Sequence, residues 1–299
     1  MSRPETVNHN LALATGIMLV TYLLFTGMDT TAKFLALAGI APMQVVFMRY
    51  FWHFAGAMVL GVPSEGRAIF RSNAPWLQAA RGLAVLTSSI LNFTAVFYLP
   101  LPVTISMFMA TPLLVCLFSV PMLGERLGPR RLTAILIGFV GVLVITEPWK
   151  ADLHWAIFLS FGALVASALY SVLTRRVAHL DSNATSQVFI SGIPALVIAP
   201  LGLWLWVWPT SGLQWGLLFG MGLFGVIGHS LMNHAHRLAQ VSSLAPLVYV
   251  QMIYATVLSW AVFSQMPGRN TLIGTAIIVA SGIYIWWREG QLARIRTVR

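Results

Sequence analysis

The chain has 299 residues, of which 58% are hydrophobic and only 9% are charged. An ordinary soluble domain is about 25% charged, and a water-soluble globule with so few charges has too little polar surface to cover its apolar side chains. The composition therefore excludes a soluble enzyme and a nucleic-acid-binding domain, and the net charge of +10 needs another explanation.

Ten apolar segments follow one another along the chain, separated by short polar or proline-containing breaks. A membrane-spanning helix needs about 20 mostly apolar residues, and each segment is close to that length. The segments are predicted at residues 11–35, 42–62, 75–99, 101–123, 130–147, 154–175, 184–207, 213–236, 242–265 and 270–288. Because these runs are too long for barrel strands, the sequence predicts an all-α membrane protein with ten transmembrane helices.

The basic residues divide unequally between the two sides of such a protein. With ten spans both chain ends lie on one side, and that side also receives most of the arginines: Arg3, Arg67, Arg71, Arg126, Arg130, Arg131, Arg175, Arg176, Arg237, Arg288, Arg294, Arg296 and Arg299. The other side receives Lys33, Lys150 and Arg269. Because basic loops stay in the cytoplasm, both termini are predicted to be cytoplasmic, in a bacterial inner membrane. The predicted partner of this charge is the lipid bilayer, including anionic headgroups near residues 288–299, and not nucleic acid.

Two halves of five spans each, residues 1–148 and 149–299, are predicted to be structural repeats. An odd number of spans makes the second half enter the membrane in the opposite orientation, which is the inverted repeat typical of secondary transporters. At an offset of 140 residues, Gly82 corresponds to Gly222 and Leu91 corresponds to Leu231. In this scheme the first span corresponds to the sixth, and each later span of the first half to its counterpart in the second.

Two stretches carry a family resemblance. The fourth span and the loop after it contain Pro112-Leu-Leu-Val-Cys-Leu-Phe-Ser-Val-Pro-Met-Leu-Gly124-Glu125-Arg-Leu-Gly, followed by Gly138 and Gly141. The sixth span ends with Ala168-Leu-Tyr170-Ser-Val-Leu-Thr-Arg175-Arg176. Both halves resemble the EamA-type repeat of the drug/metabolite transporter superfamily, and among its members the YddG-type aromatic amino-acid exporters.

The resemblance implies two inverted five-helix repeats around a central cavity, and transport by alternating access. The second half departs from the family pattern at two places. Ser264-Gln265 stands where Gly-Glu is usual, and Met252 stands where proline is usual. The turn of the second repeat is therefore expected to be held in a different way.

Polar residues recur at helical spacing on the first, third, fourth, sixth, eighth and ninth spans, which are three repeat-related pairs. Lipid-facing surfaces are apolar, so such stripes are expected to face the cavity. Helix packing explains any single Ser, Thr or Gly equally well. The predicted substrate-binding residues are Tyr22, Thr26, Asn92, Phe93, Phe108, Tyr170, His229, Asn233, Tyr249, Gln251 and Tyr254.

Two prolines and a few ionisable residues lie inside predicted spans. Pro112 and Pro246 are predicted to be hinges or static kinks, because proline removes a helix hydrogen bond. Asp29, Lys33, Arg49 and His229 are candidates for charge coupling. Asp29 and Lys33 are four residues apart and are expected to pair. Arg81 is expected to reach the cytoplasmic headgroups, and Arg49 either to reach the outer headgroups or to hold a substrate carboxylate.

No cofactor and no metal site are predicted. His229 and His236 share a helix face, His234 points elsewhere, and no carboxylate of the same span joins them. The pattern favours a secondary transporter that exports small metabolites, with aromatic or hydrophobic amino acids first. The alternatives are a carrier for another small solute such as a drug, nucleoside or sugar-like metabolite, a passive channel or scramblase, and an intramembrane enzyme. The sequence leaves both a monomer and a dimer open.

Overall fold

A computed structural model describes residues 4–124, 128–149, 153–177, 180–239 and 244–297 of the chain. Arg3, Arg126, Lys150 and Arg299, which entered the topology prediction, and Glu125 of the Gly-Glu turn lie outside these ranges, as do the side chains of His236 and Arg237. Within them the chain forms α1 (Pro4–Leu37), α2 (Pro42–Glu65), α3 (Pro75–Tyr98), α4 (Leu101–Phe108), α5 (Thr111–Leu123), α6 (Pro129–Thr146), α7 (Ala156–Val177), α8 (Asn183–Trp204), α9 (Gly212–Leu238), α10 (Val250–Phe263) and α11 (Arg269–Thr297), with 3₁₀ segments at Gly66–Phe70 and Ala245–Tyr249.

The described residues contain ten stretches that are long and apolar enough to cross a membrane, which confirms the predicted number. The third span was predicted at residues 75–99 and is observed at Pro75–Tyr98. The agreement is close because proline is favoured in the first turn of a helix, where its missing N–H leaves no hydrogen bond unmade. Pro42, Pro75 and Pro129 all begin spans in this way.

The fourth and ninth spans are interrupted. The fourth consists of α4 and α5, which are separated at Met109 and Ala110, and the ninth begins with a 3₁₀ segment before α10. Pro112 lies in the first turn of α5, just after the break, and Pro246 lies in the first turn of the 3₁₀ segment itself. Proline starts a helix at such a position instead of bending one, and the role of the two prolines as hinges stays a prediction.

The helices pack as two inverted repeats would. The four most extensive contacts join α1 to α9, α3 to α7, α2 to α8 and α6 to α11, and a smaller contact joins α4 to α10. In the repeat scheme α7 corresponds to α1 and α9 corresponds to α3, so the α1–α9 and α3–α7 contacts are equivalent. The contacts α2–α8, α6–α11 and α4–α10 each join a helix to its own repeat counterpart. The fold prediction is confirmed by this arrangement, and the boundary near residue 148 stays a prediction.

Two glycines show the same relationship at the level of single residues. A Cβ on Gly82 of α3 would lie 3.4 Å from the Phe189 carbonyl oxygen of α8. A Cβ on Gly222 of α9 would lie 2.8 Å from the His53 backbone nitrogen of α2. These glycines correspond at the predicted offset, and each permits close approach to the central α2–α8 pair.

Candidate functional site

A group of polar and aromatic side chains meets in the middle of the bundle, and we name it the central polar cluster. It draws residues from α1, α2, α3, α7, α8 and α9, which belong to both halves of the chain. Its members are Asp29, Arg49, Tyr50, His53, Ser89, Asn92, Phe93, Tyr170, Gln187 and His229. His53 follows the start of α2 by eleven residues, about 17 Å at 1.5 Å per residue, which places it deep within the span.

Arg49 is the charged centre of the cluster and is 6% exposed. Its Nη1 donates to Ser89 Oγ at 2.5 Å, and the Tyr50 hydroxyl lies 2.7 Å from the same oxygen. The guanidinium carbon lies 4.8 Å from the ring centre of Tyr50 and 5.5 Å from that of Phe93, so two aromatic rings share its charge. This burial overturns the expectation that Arg49 reaches the outer headgroups.

Asp29 approaches Arg49 without forming an ion pair. Its Oδ1 accepts a hydrogen bond from Asn92 Nδ2 at 3.0 Å. Arg49 is close enough for the two charges to interact, yet in the described part of the chain no carboxylate oxygen lies within 4.0 Å of its nitrogens. The predicted residues Asp29, Arg49 and Asn92 therefore meet, with a gap between the two charges.

Two histidine rings stack across the contact between α2 and α9. The rings of His53 and His229 have centroids 5.5 Å apart and planes inclined by 16°. His53 Nε2 lies 3.0 Å from Gln187 Oε1 of α8, and Phe25 of α1 packs against His229 with centroids 5.1 Å apart. His53 Nδ1 is buried without a hydrogen-bond partner. His229 thus pairs with a histidine of another helix.

Arg81 corrects another expectation. It is buried, its Nη2 donates to the Ser186 carbonyl oxygen at 2.9 Å, and its guanidinium carbon lies 6.0 Å from the ring centre of Tyr170. The side chain therefore does not extend to the cytoplasmic headgroups. It links α3 to the first turn of α8, at the edge of the central polar cluster.

Lys33 does not pair with Asp29, which was the expectation from their spacing. Its Nζ donates to the Leu99 carbonyl oxygen at 2.7 Å and to Gln265 Oε1 at 3.2 Å. The ammonium therefore joins the end of α1 to the ends of α3 and α10. Gln265 is the residue that departs from the family's Gly-Glu pattern, and here it accepts this hydrogen bond.

The remaining predicted residues lie apart from the cluster. Thr26 is fully buried and donates to the Tyr22 carbonyl oxygen at 2.8 Å, so its hydroxyl is used within α1. Tyr22 and Tyr249 lie close enough to interact with each other. Asn233 Nδ2 donates to Asn183 Oδ1 at 2.5 Å, at the start of α8.

Three more predicted residues, Phe108, Gln251 and Tyr254, are partly exposed on the two interrupted spans. Phe108 is the last residue of α4, and its carbonyl oxygen accepts a hydrogen bond from the Thr111 hydroxyl at 2.6 Å. The role of these three residues in binding stays a prediction.

The sequence analysis missed four members of the cluster, which are Tyr50, His53, Ser89 and Gln187. A signal existed for one of them, because His53 follows Arg49 by four residues and shares its helix face. Ser89 had no such signal, and its neighbour Ser88 has a different role, since it donates to the Ala163 carbonyl oxygen at 3.0 Å and serves the α3–α7 contact.

Known proteins match this chain along most of its length. Residues 154–287 match the model of the EamA-like transporter family. The riboflavin transporter of Vibrio cholerae is 29% identical over 72% of this chain and 73% of its own. The S-adenosylmethionine uptake transporter of Rickettsia prowazekii is 22% identical over 87% and 88%. The pseudopaline exporter CntI of Pseudomonas aeruginosa is 25% identical over 73% and 77%. One crystal structure aligns with 90% of this chain and with 95% of its own chain. Its TM-score with this protein is 0.64, and the sequence identity is 20%.

Ten spans and these relatives define a multi-pass membrane transporter and not an enzyme. The chain is a small-molecule transporter by its likeness to these relatives, and its residues 154–287 match the EamA-like transporter family. The finer resemblance to YddG-type aromatic amino-acid exporters finds no support in these matches, since the relatives are named for riboflavin, S-adenosylmethionine and pseudopaline.

Proposed function

We propose that this protein is a secondary carrier that binds a small metabolite at the central polar cluster and moves it across the cytoplasmic membrane by alternating access. The observation that carries the proposal is the placement of Arg49, Asp29 and a histidine pair deep in the spans. A charged side chain at that depth costs about 2.5–3.5 kcal/mol on insertion scales, so it is retained where it serves a transport path.

The cluster suits a solute with both a flat ring and polar groups. The rings of Phe25, Tyr50, Phe93 and Tyr170 surround the charged groups, and aromatic rings stack on planar solutes. Two of the relatives are named for riboflavin and S-adenosylmethionine, which both carry a heteroaromatic ring system. We therefore place heteroaromatic metabolites first, and keep aromatic amino acids as the second candidate.

Alternating access would use the pseudo-symmetry of the two halves. Side chains of α1 to α3 and of α7 to α9 meet at the cluster, so rocking one half against the other would open the cluster to one side at a time. Relatives named for uptake and for export both occur, so the direction would follow the solute gradient and any coupled ion.

The test is counterflow in proteoliposomes. Vesicles loaded with unlabelled riboflavin, S-adenosylmethionine or phenylalanine are diluted into the same labelled solute at pH 6 and at pH 8. We expect saturable counterflow of at least one solute, while a passive channel would give flux that rises linearly with concentration. Vesicles that show no counterflow with any of the three solutes would contradict the proposal.

Two neighbouring serines provide matched variants for the location of the site. Ser89→Ala removes the hydroxyl that holds Arg49, whereas Ser88→Ala removes a hydroxyl that serves only the α3–α7 contact. We expect Ser89→Ala to raise the half-saturating concentration several-fold and Ser88→Ala to leave it unchanged. Equal effects of the two substitutions would place the site elsewhere.

A further inference from the structure

A groove runs along the outer surface of the bundle between α6 and α11. Its volume is about 520 Å³, which lies within the range of about 300–1,000 Å³ usual for ligand sites. All of its lining residues belong to these two helices, so the groove is separate from the central polar cluster. Its walls are mostly apolar, and they include Ala134, Ile137, Ile277 and Ala280.

The groove occupies one end of the α6–α11 pair. Beyond the groove the two backbones touch, since a Cβ on Gly141 would lie only 2.6 Å from the Gly274 carbonyl oxygen. On α6 the lining residues extend from Arg130 to Ile137, which is about 10 Å along the axis at 1.5 Å per residue. An apolar wall therefore leads from Arg130 into the membrane, in the direction in which an acyl chain of the bilayer lies.

An exposed cation stands at the open end of the groove. Among the described residues, Arg130 has no hydrogen bond or ion pair, whereas the Nη2 of its neighbour Arg131 donates to Cys116 Sγ at 3.0 Å. Across the groove, the exposed ring of Tyr284 has its centre 6.3 Å from that of Trp287. Such aromatic pairs at the end of a span mark the level of the lipid headgroups, so the Arg130 guanidinium lies where lipid phosphates lie.

A buried hydroxyl without a partner also faces the groove. Ser281 is 5% exposed and lines the groove, and its Oγ has no hydrogen-bond partner among the described residues. Thr275 of the same helix shows the usual arrangement, because its hydroxyl donates to the Thr271 carbonyl oxygen at 2.6 Å. Since buried polar groups are nearly always hydrogen-bonded, Ser281 is suited to donate to an acceptor oxygen that the groove receives from outside the chain.

We propose that this groove binds an anionic phospholipid of the bilayer. The phosphate pairs with Arg130, an ester carbonyl accepts from the Ser281 hydroxyl, and one acyl chain lies along the apolar wall. Basic pockets between membrane helices recognise acidic headgroups in this way. A second copy of the chain fits less well, because the lining contains a cation and no acid, so the same face of a copy would offer Arg130 no opposite charge.

Native mass spectrometry of the full chain in mild detergent measures this binding. The protein is mixed with equal amounts of phosphatidylglycerol and phosphatidylcholine that have the same acyl chains. We expect the wild type to retain phosphatidylglycerol about fivefold better, the factor for one basic residue beside an anionic lipid. Arg130→Gln should remove this preference. The matched control is Arg71→Gln, which changes an exposed arginine between α2 and α3 and should keep the preference.

Two exposed alanines of α11 test the groove itself. Ala280 lines the groove, whereas Ala276, one turn earlier on the same helix, does not. We expect Ala280→Trp to lower the retention of both lipids several-fold and Ala276→Trp to leave it unchanged. An excess of glycerol 1-phosphate, which has the phosphate without acyl chains, should not displace phosphatidylglycerol from the wild type.

Several results would overturn the lipid site. Equal retention of the two lipids by the wild type would do so, as would equal losses with Arg130→Gln and Arg71→Gln. Displacement by glycerol 1-phosphate would show a site for a free phosphate ester instead. A dimer that retains no phosphatidylglycerol and dissociates with Ala280→Trp would assign the face to a second copy. None of these measurements depends on transport, so they leave the proposed carrier function to its own test.

Discussion

The ammonium of Lys33 lies 2.7 Å from the carbonyl oxygen of Leu99, although 66 residues separate the two along the chain. The same ammonium donates to Gln265, so one buried cation joins the ends of three spans. The ring of Phe263 lies 5.4 Å away and adds to its stabilisation. Lys33 therefore has two hydrogen bonds and an aromatic ring from other spans to stabilise its charge, which indicates a structural role.

We predict that Lys33→Met lowers stability without changing the half-saturating concentration of the solute. Hydrogen bonds to charged groups are worth about 1.5–3 kcal/mol, and the substitution leaves the Leu99 carbonyl oxygen without this donor. The measurement is thermal unfolding in detergent together with the counterflow assay described above. Gln265→Leu is the partner variant, and a smaller loss in the double variant than the sum of the two single losses would confirm the contact. A change in the half-saturating concentration of the solute with unchanged unfolding of Lys33→Met would instead assign Lys33 to charge coupling.

A second prediction concerns pH and the loop before α8. Asp181 precedes α8 and accepts hydrogen bonds from the Ser72 hydroxyl, the Asn73 backbone N–H and Gln78 Nε2. Partial burial alone would raise the pKa of Asp181, but these hydrogen bonds and the charge of Arg81 bring it below its ordinary value of 3.8. A depressed carboxyl pKa stabilises the fold above pH 3.8, and this stabilisation disappears as the pH falls through the lowered value.

Asp181→Asn should therefore unfold at a lower temperature than the wild type at pH 7, and the difference should shrink below about pH 4. Thermal unfolding between pH 7 and pH 3 provides the measurement. Glu65→Gln is the control, because Glu65 is an exposed carboxylate that, among the described residues, accepts a hydrogen bond only from Ser182. A constant difference between wild type and Asp181→Asn over the whole range would contradict the assignment.

A third prediction uses two glycines of α9. A Cβ on Gly222 would collide with the side chain of Trp52 on α2, whereas a Cβ on Gly220 would meet nothing within 4 Å. Alanine is favoured over glycine within a helix by about 1 kcal/mol. Gly220→Ala should therefore leave the unfolding temperature unchanged or raise it, and Gly222→Ala should lower it. Similar effects of the two substitutions would show that α2 and α9 do not approach so closely.

A fourth prediction concerns the turn after α10. Ser264 has a φ of +55°, which is the left-handed region, and Gly124 has a φ of +70° after α5 in the first half. A non-glycine residue in this region costs roughly 1–2 kcal/mol. Ser264→Gly should raise the free energy of unfolding by about 1 kcal/mol, and Gly124→Ala should lower it by a similar amount. Chemical denaturation of both variants checks the pair, and a destabilised Ser264→Gly would show that the serine side chain is needed at the turn.

These two turns show how a sequence departure keeps the same structure. Serine at position 264 breaks the Gly-Glu pattern of the resemblance, and the expectation was a turn held in a different way. The backbone adopts the same left-handed conformation as at Gly124. The difference lies in the next residue, because Gln265 accepts a hydrogen bond from Lys33, a partner that local sequence does not reveal.

The sequence predicted part of the central polar cluster for a physical reason. Periodicity along a helix identifies the face on which a residue lies, and this placed Asp29, Asn92, Phe93, Tyr170 and His229 on inward faces. It does not identify which helix that face meets. His53 became informative only when the structure brought it against His229, and Lys33 ceased to be a candidate when its acceptors were found on α3 and beyond α10.

The amino-acid sequence by itself determined the class of protein, the number of spans and the inverted-repeat plan. Bilayer thickness sets the length of each apolar run, and the need to bury polar groups sets its periodicity. Both can therefore be recognised from residues that are close together in the sequence. The tertiary structure shows which buried charged groups have hydrogen-bond partners on other helices. That distinction depends on contacts between distant segments, and it separates Lys33, whose ammonium has two acceptors on other spans, from Arg49, whose Nε has no hydrogen-bond partner in the described part of the chain.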